Sequence, residues 1–294
     1  MPHSALHVTR IAQVSDIHFG SEADGATEML LRALNASRFD LIIMSGDLTM
    51  AARRREFHKA RTFIDALDAP TLCVPGNHDI TPYHLIERFS APFARWKRFI
   101  SAVVEPSWDN GRVAVVGLNT ARRMRLRLDW SHGSISRGQI ARLPGRFAAM
   151  PQTPFRIVVA HHPFLAQDGP VNDKRPRVMV KRAERALSAF AKARVDLVLA
   201  GHLHRTYAAS YDGGDPPRAA VLAQTGVQHR DNHRVMTIQA GTALSARTRG
   251  EPNSFNRIDV IGERMEVRAV KLTPSGWQAD ETPLATVERP DVAQ

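Results

Sequence analysis

Short apolar runs punctuate the first two thirds of the chain: Ile11 to Ser15, Leu41 to Ser45, Leu72 to Pro75, Ile157 to Ala160 and Leu197 to Ala200. Runs this short predict strands. Val113 to Leu118 adds a sixth. Between these runs the apolar positions take a helical period, in Glu28 to Asn35, in Glu56 to Leu67, where Phe57, Ala60, Phe63, Ile64 and Leu67 share one face, and in Ala183 to Ala193. Strand alternating with helix is the pattern of an α/β fold. From about Ala219 the texture changes. Ala219 to Ala223, Val235 to Gln239, Arg257 to Val260 and Met265 to Val270 are short strands separated by turns, which suggests a second sheet packed on the first. Residues 273–294 are rich in Pro and polar side chains and read as an extended tail, leaving one domain over 8–272.

The chain has 294 residues, long enough to bury an ample core. Its net charge of +11 raises nucleic acid as a partner, because a basic surface attracts phosphates regardless of sequence. The charge is dispersed, however. Arg53 to Arg55 start one predicted helix, Arg122, Arg123, Arg125 and Arg127 share a loop, and Lys181, Arg182 and Arg185 lie on another helix, so they read as solvated faces. Aromatic content of 6% leaves few platforms for stacking bases, which makes nucleic acid the less favoured partner. The single cysteine, Cys73, lies in a predicted strand and excludes an internal disulfide. The N-terminal stretch MPHSALHVTRIAQVSD lacks a basic region followed by a long apolar core, and no apolar run approaches the roughly 20 residues that span a bilayer. The expected location is the cytoplasm, with no membrane span; the oligomeric state is open, a homodimer included.

Chemistry enters at the ends of the strands. Asp16 with His18, Asp47, Asn77 with His78, His161, and His202 with His204 each follow one of the five runs. In open α/β sheets, functional groups gather at the carboxyl ends of the strands. Carboxylates, imidazoles and an amide oxygen form a hard-to-borderline ligand set that suits a pair of divalent cations, and mixed N/O ligation accommodates Mn, Fe, Zn, Co or Ni. Gly46, Gly76 and Gly201 each precede a ligand where the chain has to turn sharply off its strand.

The blocks Asp16-Ile17-His18, Gly46-Asp47, Gly76-Asn77-His78-Asp79, His161-His162-Pro163 and Gly201-His202-Leu203-His204 resemble, in order, those of the calcineurin-like metallophosphoesterases. The resemblance spans roughly residues 8 to 270. It is nearest to the cyclic-nucleotide phosphodiesterase-like branch, including Gly241-Thr242 and the stretch from Arg249-Gly250-Glu251 to Asn253-Ser254-Phe255-Asn256. It implies a four-layer α/β/β/α sandwich, two mixed β-sheets flanked by helices, and metal-dependent hydrolysis of phosphoesters. Carried over position by position, it implies that Asp16, His18 and His204 hold one metal and Asn77, His161 and His202 the other, with Asp47 as the bridge. His78 would stabilise the transition state or protonate the leaving alkoxide, and Asp79 would orient the His78 imidazole.

The expected reaction is in-line attack on phosphorus by a metal-bridging hydroxide, on a small anionic phosphodiester, with cyclic nucleotides among the candidates. A phosphomonoesterase or nucleotide-sugar diphosphatase on the same site, a nuclease, and a non-catalytic binding module of the same fold remain as alternatives. Substrate-binding residues are not identified by the sequence. The loops Ala166 to Arg177 and Thr120 to His132, with Arg247 and Arg249, are candidate walls whose arginines would contact a second phosphate or a carboxylate, ordinary basic loops being the alternative. His162 either lines the pocket or stabilises the turn before Pro163.

Overall fold

The computed structural model describes residues 8–123, 131–151, 153–166, 179–212, 233–245 and 250–289. The elements run in the order β1 (Val8–Val14), α1 (Ala26–Ala36), β2 (Leu41–Met44), α2 (Arg54–Asp65), β3 (Thr71–Cys73), α3 (Leu85–Ser90), α4 (Ala94–Phe99), β4 (Ser107–Asp109) and β5 (Val113–Gly117). They continue with α5 (Arg137–Ala148), β6 (Phe155–Val159), α6 (Ala183–Lys192), β7 (Leu197–Ala200), β8 (Tyr207–Tyr211), β9 (Val235–Gln239), β10 (Ser254–Ile261), β11 (Arg264–Thr273), β12 (Gly276–Ala279) and β13 (Ala285–Glu288). The strands form two mixed sheets, ordered β12-β11-β10-β1-β2-β3, with β13 also on β11, and β4-β5-β6-β7-β9-β8.

Alternation along the strands makes the four layers. Ile11, Leu41, Ile43 and Leu72 of the first sheet meet Val115, Phe155, Ile157, Val159, Leu197 and Leu199 of the second in a core between the sheets. Their neighbours point the other way. Ala12, Val14, Ile42 and Met44 pack under α1 and α2 through Leu30, Leu34, Phe57 and Phe63. Val116, Val158 and Val198 pack under α5 and α6 through Leu143, Phe147, Leu187 and Phe190. Both faces of every central strand are therefore covered, which is why these strands read as unbroken apolar runs. Among the described residues no helix is long and apolar enough to cross a membrane.

Three expectations change. The late strands do not form a sheet of their own: β9 joins the second sheet beside β7, and β10 and β11 extend the first sheet antiparallel from β1. Pairing beside β1 covers the edge that β2 leaves free. The expected strand Ala219 to Ala223 lies outside the described residues. Helix α5 went unpredicted because Gly138, Pro144 and Gly145 mask its period; Ile140, Leu143 and Phe147 nevertheless share its buried face, and Ser136 and Gln139 close its start as a capping box.

The expected tail is the third correction, because residues 276–288 belong to the first sheet: β12 and β13 both pair with β11, and the Trp277 ring lies 5.3 Å from that of Phe255. Just past β13, Arg289 donates from Nη2 to both oxygens of the fully buried Asp196, at 3.0 and 2.8 Å. Arg289→Ala would leave that buried carboxylate without its guanidinium, with only Arg156 N at 2.7 Å and His233 Nε2 at 3.1 Å still facing it among the described residues. A loss of about 2–3 kcal/mol in urea unfolding is expected, where a residue in an unpacked tail would change stability by only about 0.5 kcal/mol or less.

Candidate metal centre

β1, β2 and β3 run parallel, as do β6 and β7, so five loops leave at one end of the sandwich. Backbone bonds tie the loops together: Asp16 N donates to Gly46 O at 3.1 Å, His18 N to Asp47 O at 3.0 Å and Gly201 N to His161 O at 2.8 Å. Beneath them the Gln13 amide donates across the sheets to the Ala200 carbonyl at 2.9 Å and to Ser45 Oγ at 3.1 Å, while accepting from Asn256 at 2.9 Å. One buried side chain thereby registers the ends of β1, β2 and β7 and the strand beside them.

The backbone is strained where the ligand candidates sit. Asp16, His18, Asp47, His202 and His204 all have positive φ, between 52° and 79°. Such conformations are uncommon outside glycine and persist where surrounding contacts enforce them, often at functional sites. Gly76 shows how tight the convergence is. A Cβ there would lie 2.0 Å from Asp47 Oδ1 and 2.4 Å from the Asp47 backbone nitrogen, a clash that no rotamer relieves. Gly76→Ala is expected to cost about 1–3 kcal/mol of stability and to lower metal content, checked by thermal melts and elemental analysis. Gly145→Ala is the control, since nothing lies within 4 Å of its added Cβ.

All seven expected ligands come together. Asp16 Oδ1 faces His204 Nε2 at 3.2 Å and His18 Nε2 at 3.7 Å, and the two imidazoles face each other at 3.1 Å. His161 Nε2 lies 3.1 Å from Asp47 Oδ2 and 3.2 Å from Asn77 Oδ1, with the His202 ring centroid 5.2 Å from that of His161. Asp47 Oδ2 is also 3.9 Å from His18 Nε2, so this carboxylate stands between the two groups. Asp16, His18, Asp47, His161 and His204 are buried, whereas Asn77, His78 and His202 are half-buried and form the open side.

The donor chemistry fits cations. His161 Nδ1 lies 2.9 Å from the Ser45 carbonyl, which can only accept, so that nitrogen carries the proton and Nε2 of the neutral ring turns its lone pair toward two oxygens. Acceptors facing acceptors need either a proton or a metal between them. Asp16 Oδ1 is likewise buried without a hydrogen-bond donor, although Oδ2 receives Ser15 Oγ at 2.6 Å and His202 N at 2.9 Å. Without metal the groups compensate one another. Burial would raise the Asp16 and Asp47 carboxyls, yet the surrounding imidazoles outweigh it and hold both well below the usual carboxylate range. Burial also opposes charge on His161, but Asp47 overrides it and raises the ring to about 9. His18 and His202 follow the opposite balance: burial, and for His202 the neighbouring His161, lowers them to about 4 and about 3.

Several side chains do different work from that expected. The buried Asp79 does not touch the His78 ring; its carboxylate accepts from Gly76 N at 2.9 Å, Leu48 N at 3.3 Å, and Thr49 N and Oγ1 at 2.9 Å each, locking the Asp47 loop to the Asn77 loop. Burial, reinforced by the Asp47 charge, pushes the Asp79 carboxyl up to about 6. The group that orients His78 is the Met50 carbonyl, 2.6 Å from Nδ1. His162 stands beside the cluster with both nitrogens engaged, Nδ1 with Thr120 Oγ1 at 2.8 Å and Nε2 with Ser131 O at 3.0 Å, so it staples two segments of the wall.

Arg122 and Arg123 turn their guanidiniums to the carbonyls of Asn119, Ala121 and Phe89. Residues 124–130 and 167–178, with Arg247 and Arg249, lie outside the described residues. Sequence reading also gave no role to Thr242 and Glu251. The Thr242 hydroxyl donates to the Asp16 carbonyl at 2.7 Å, and Glu251 accepts from Thr206 N at 2.9 Å, two residues past His204. Their only sequence trace was the block from Gly241 to Asn256.

The family model described as calcineurin-like phosphoesterase matches residues 9–206, from β1 to just past the last ligand candidate. The chain belongs to the calcineurin-like phosphoesterase family. The chain is 32% identical over 81 residues to UDP-2,3-diacylglucosamine pyrophosphatase LpxG of Chlamydia muridarum, a match covering 26% of the chain and 25% of that relative. It thus spans only about a quarter of that protein's length. The 3',5'-cyclic adenosine monophosphate phosphodiesterase CpdA of Escherichia coli K12 is 23% identical over 258 residues, covering 79% of the chain and 82% of CpdA. Among solved structures, purple acid phosphatase PPD1 of yellow lupin superposes with a TM-score of 0.64 at 14% identity, over 91% of the chain and 52% of the phosphatase, a likeness of fold.

Proposed function

We propose that the protein is a metal-dependent phosphodiester hydrolase. Asp16, His18 and His204 would hold one divalent cation and Asn77, His161 and His202 the second, with Asp47 shared between them. The observation that carries this reading is the arrangement around His161. Its Nδ1 is committed to a carbonyl, and its Nε2 is aimed at Asp47 and Asn77 oxygens within 3.2 Å. When bound, such a pair supplies Lewis-acid polarisation of a phosphoryl group and lowers the pKa of coordinated water toward about 7.

The chain's own contribution is placement. Asn77 supplies a neutral oxygen, which keeps the centre positive and attractive to an anion. His78 stands on the open side with Nδ1 fixed to Met50, leaving Nε2 to stabilise charge on phosphorus or give a proton to the departing alkoxide. A diester is favoured over a monoester because a dianion gains most from fixed cationic donors. Arg122, the described half-buried arginine nearest in sequence to the wall, gives its Nη1 to the carbonyls of Asn119 and Ala121 and its Nη2 to Gln139 Oε1 rather than to a substrate. The extent of similarity to CpdA supports a cyclic-nucleotide substrate, and the shorter similarity to LpxG keeps a diphosphate in view.

The test is a metal-reconstituted comparison of bis(p-nitrophenyl) phosphate with p-nitrophenyl phosphate, then of cyclic AMP with linear alkyl diesters and nucleoside diphosphate sugars. The diester should lead in kcat/KM. A monoester advantage of about tenfold, equivalent to about 1.4 kcal/mol of differential transition-state binding, would sink the diester reading.

A further inference from the structure

Exposed apolar side chains are concentrated in one segment. Tyr83, Leu85, Ile86 and Phe89 are 64, 52, 87 and 38% exposed, four of the seven exposed large hydrophobics among the described residues. Scattered surface leucines need no explanation, whereas a contiguous apolar ridge does. This ridge is firmly mounted. Arg88, buried on the far side of α3, donates from Nη1 to the carbonyls of Ile80 and Thr81 at 3.0 and 3.1 Å and from Nε to that of Arg123 at 2.8 Å. The exposure is thus a built feature of a braced turn.

The surroundings are basic. The Arg53 guanidinium lies 5.5 Å over the Tyr83 ring, exposed Arg54 and Arg55 follow it, and Arg123 donates to the Phe89 carbonyl at 2.8 Å. From Ile80 to Ile100 the chain has one carboxylate, Glu87, against Arg88, Arg95, Lys97 and Arg98, and Arg95 holds Glu87 at 2.7 and 2.6 Å. The segments that meet at Arg53 and Tyr83 also meet at Met50 and His78, so the ridge stands beside the loop on the open side of the metal centre.

We propose that this ridge docks the protein onto an anionic lipid bilayer, with Leu85, Ile86 and Phe89 entering the acyl boundary and the flanking arginines on headgroup phosphates. The two halves of the surface select this partner. A second copy of the chain would cover the apolar side chains but oppose Arg53 and Arg123 to their own kind in a chain of net charge +11. A nucleic acid would neutralise the arginines and leave Ile86 in water. A bilayer rich in acidic lipids satisfies both, and peripheral binding of this type combines an apolar insertion with a basic patch.

The full-length, metal-loaded protein should co-sediment with phosphatidylcholine vesicles containing phosphatidylglycerol, far less with phosphatidylcholine alone, and release as salt screens the headgroups. The double variant Leu85→Glu, Ile86→Glu should lower the bound fraction about tenfold or more while hydrolysing bis(p-nitrophenyl) phosphate as before; both side chains are exposed, so folding is not at stake. Equal binding to the two vesicle types, or unchanged binding by the double variant, would overturn the proposal. So would failure to sediment together with dimerisation that the double variant abolishes, which assigns the ridge to a second copy. Retention on single-stranded DNA lost with the same variant, in the absence of vesicle binding, would assign it to nucleic acid. Sedimentation and turnover are read separately, so the substrate reading can fail without touching this one.

Discussion

Asp47→Ala is expected to empty both metal positions and to lower kcat about a thousandfold or more. The carboxylate lies 3.1 Å from His161 Nε2 and 3.9 Å from His18 Nε2, and it is the group common to the two clusters. Its loss would remove the negative charge common to the two ligand groups that would hold the cations, and with the cations several kcal/mol of transition-state stabilisation. Oδ1 also accepts from His78 N at 2.9 Å, so the loop carrying His78 loosens as well. Elemental analysis after reconstitution with excess Mn²⁺ checks it, with His204→Ala as the contrast that should retain one metal. Two metals retained in Asp47→Ala would demote Asp47 from shared ligand to positioning residue.

His78→Ala is expected to do the reverse, leaving both metals in place and lowering kcat by about a hundredfold on an alkyl phosphodiester. The ring is half-buried on the open side, and its Nδ1 is fixed by Met50. Its Nε2 is the atom left for substrate. If it protonates the leaving oxygen, an activated aryl diester, whose leaving group needs little protonation, suffers much less. Equal losses on aryl and alkyl substrates with unchanged metal content would place His78 in stabilising charge on phosphorus. A fall in metal content would instead make it a ligand, in keeping with its proximity to His18 and Asp47.

The centre was legible in the sequence because each ligand candidate abuts the strand that carries it. Local pattern alone marks Asp16 after Val14, Asp47 after Met44 and His161 after Val159, and parallel strands deliver their ends to one side whatever the rest of the chain does. What holds these residues in place was not legible, because it is made by partners far away in sequence. Met50 orients His78, Thr242 holds the Asp16 carbonyl from 226 positions away, and Gln13 reaches Ala200 across the sheets. Asp79 sits next to His78 in sequence, yet it faces the opposite way, toward Gly76 and Thr49, because a buried carboxylate goes where donors are most numerous.

The same division runs through the fold. Continuous apolar runs at β1, β2, β6 and β7 and the helical periods of α1, α2 and α6 fixed a layered α/β architecture, since burial on two faces or on one leaves its own periodicity. The destination of the late strands was decided by tertiary structure. A short amphipathic strand has no address until an edge is available: β10 found one beside β1, β9 beside β7, and β12 and β13 on β11, where polar composition alone suggested a tail. Sequence therefore determined which side chains carry the chemistry, and the pairing of distant strands decided the contacts that hold Asp16, His18, Asp47, His202 and His204 in backbone conformations they would not adopt alone.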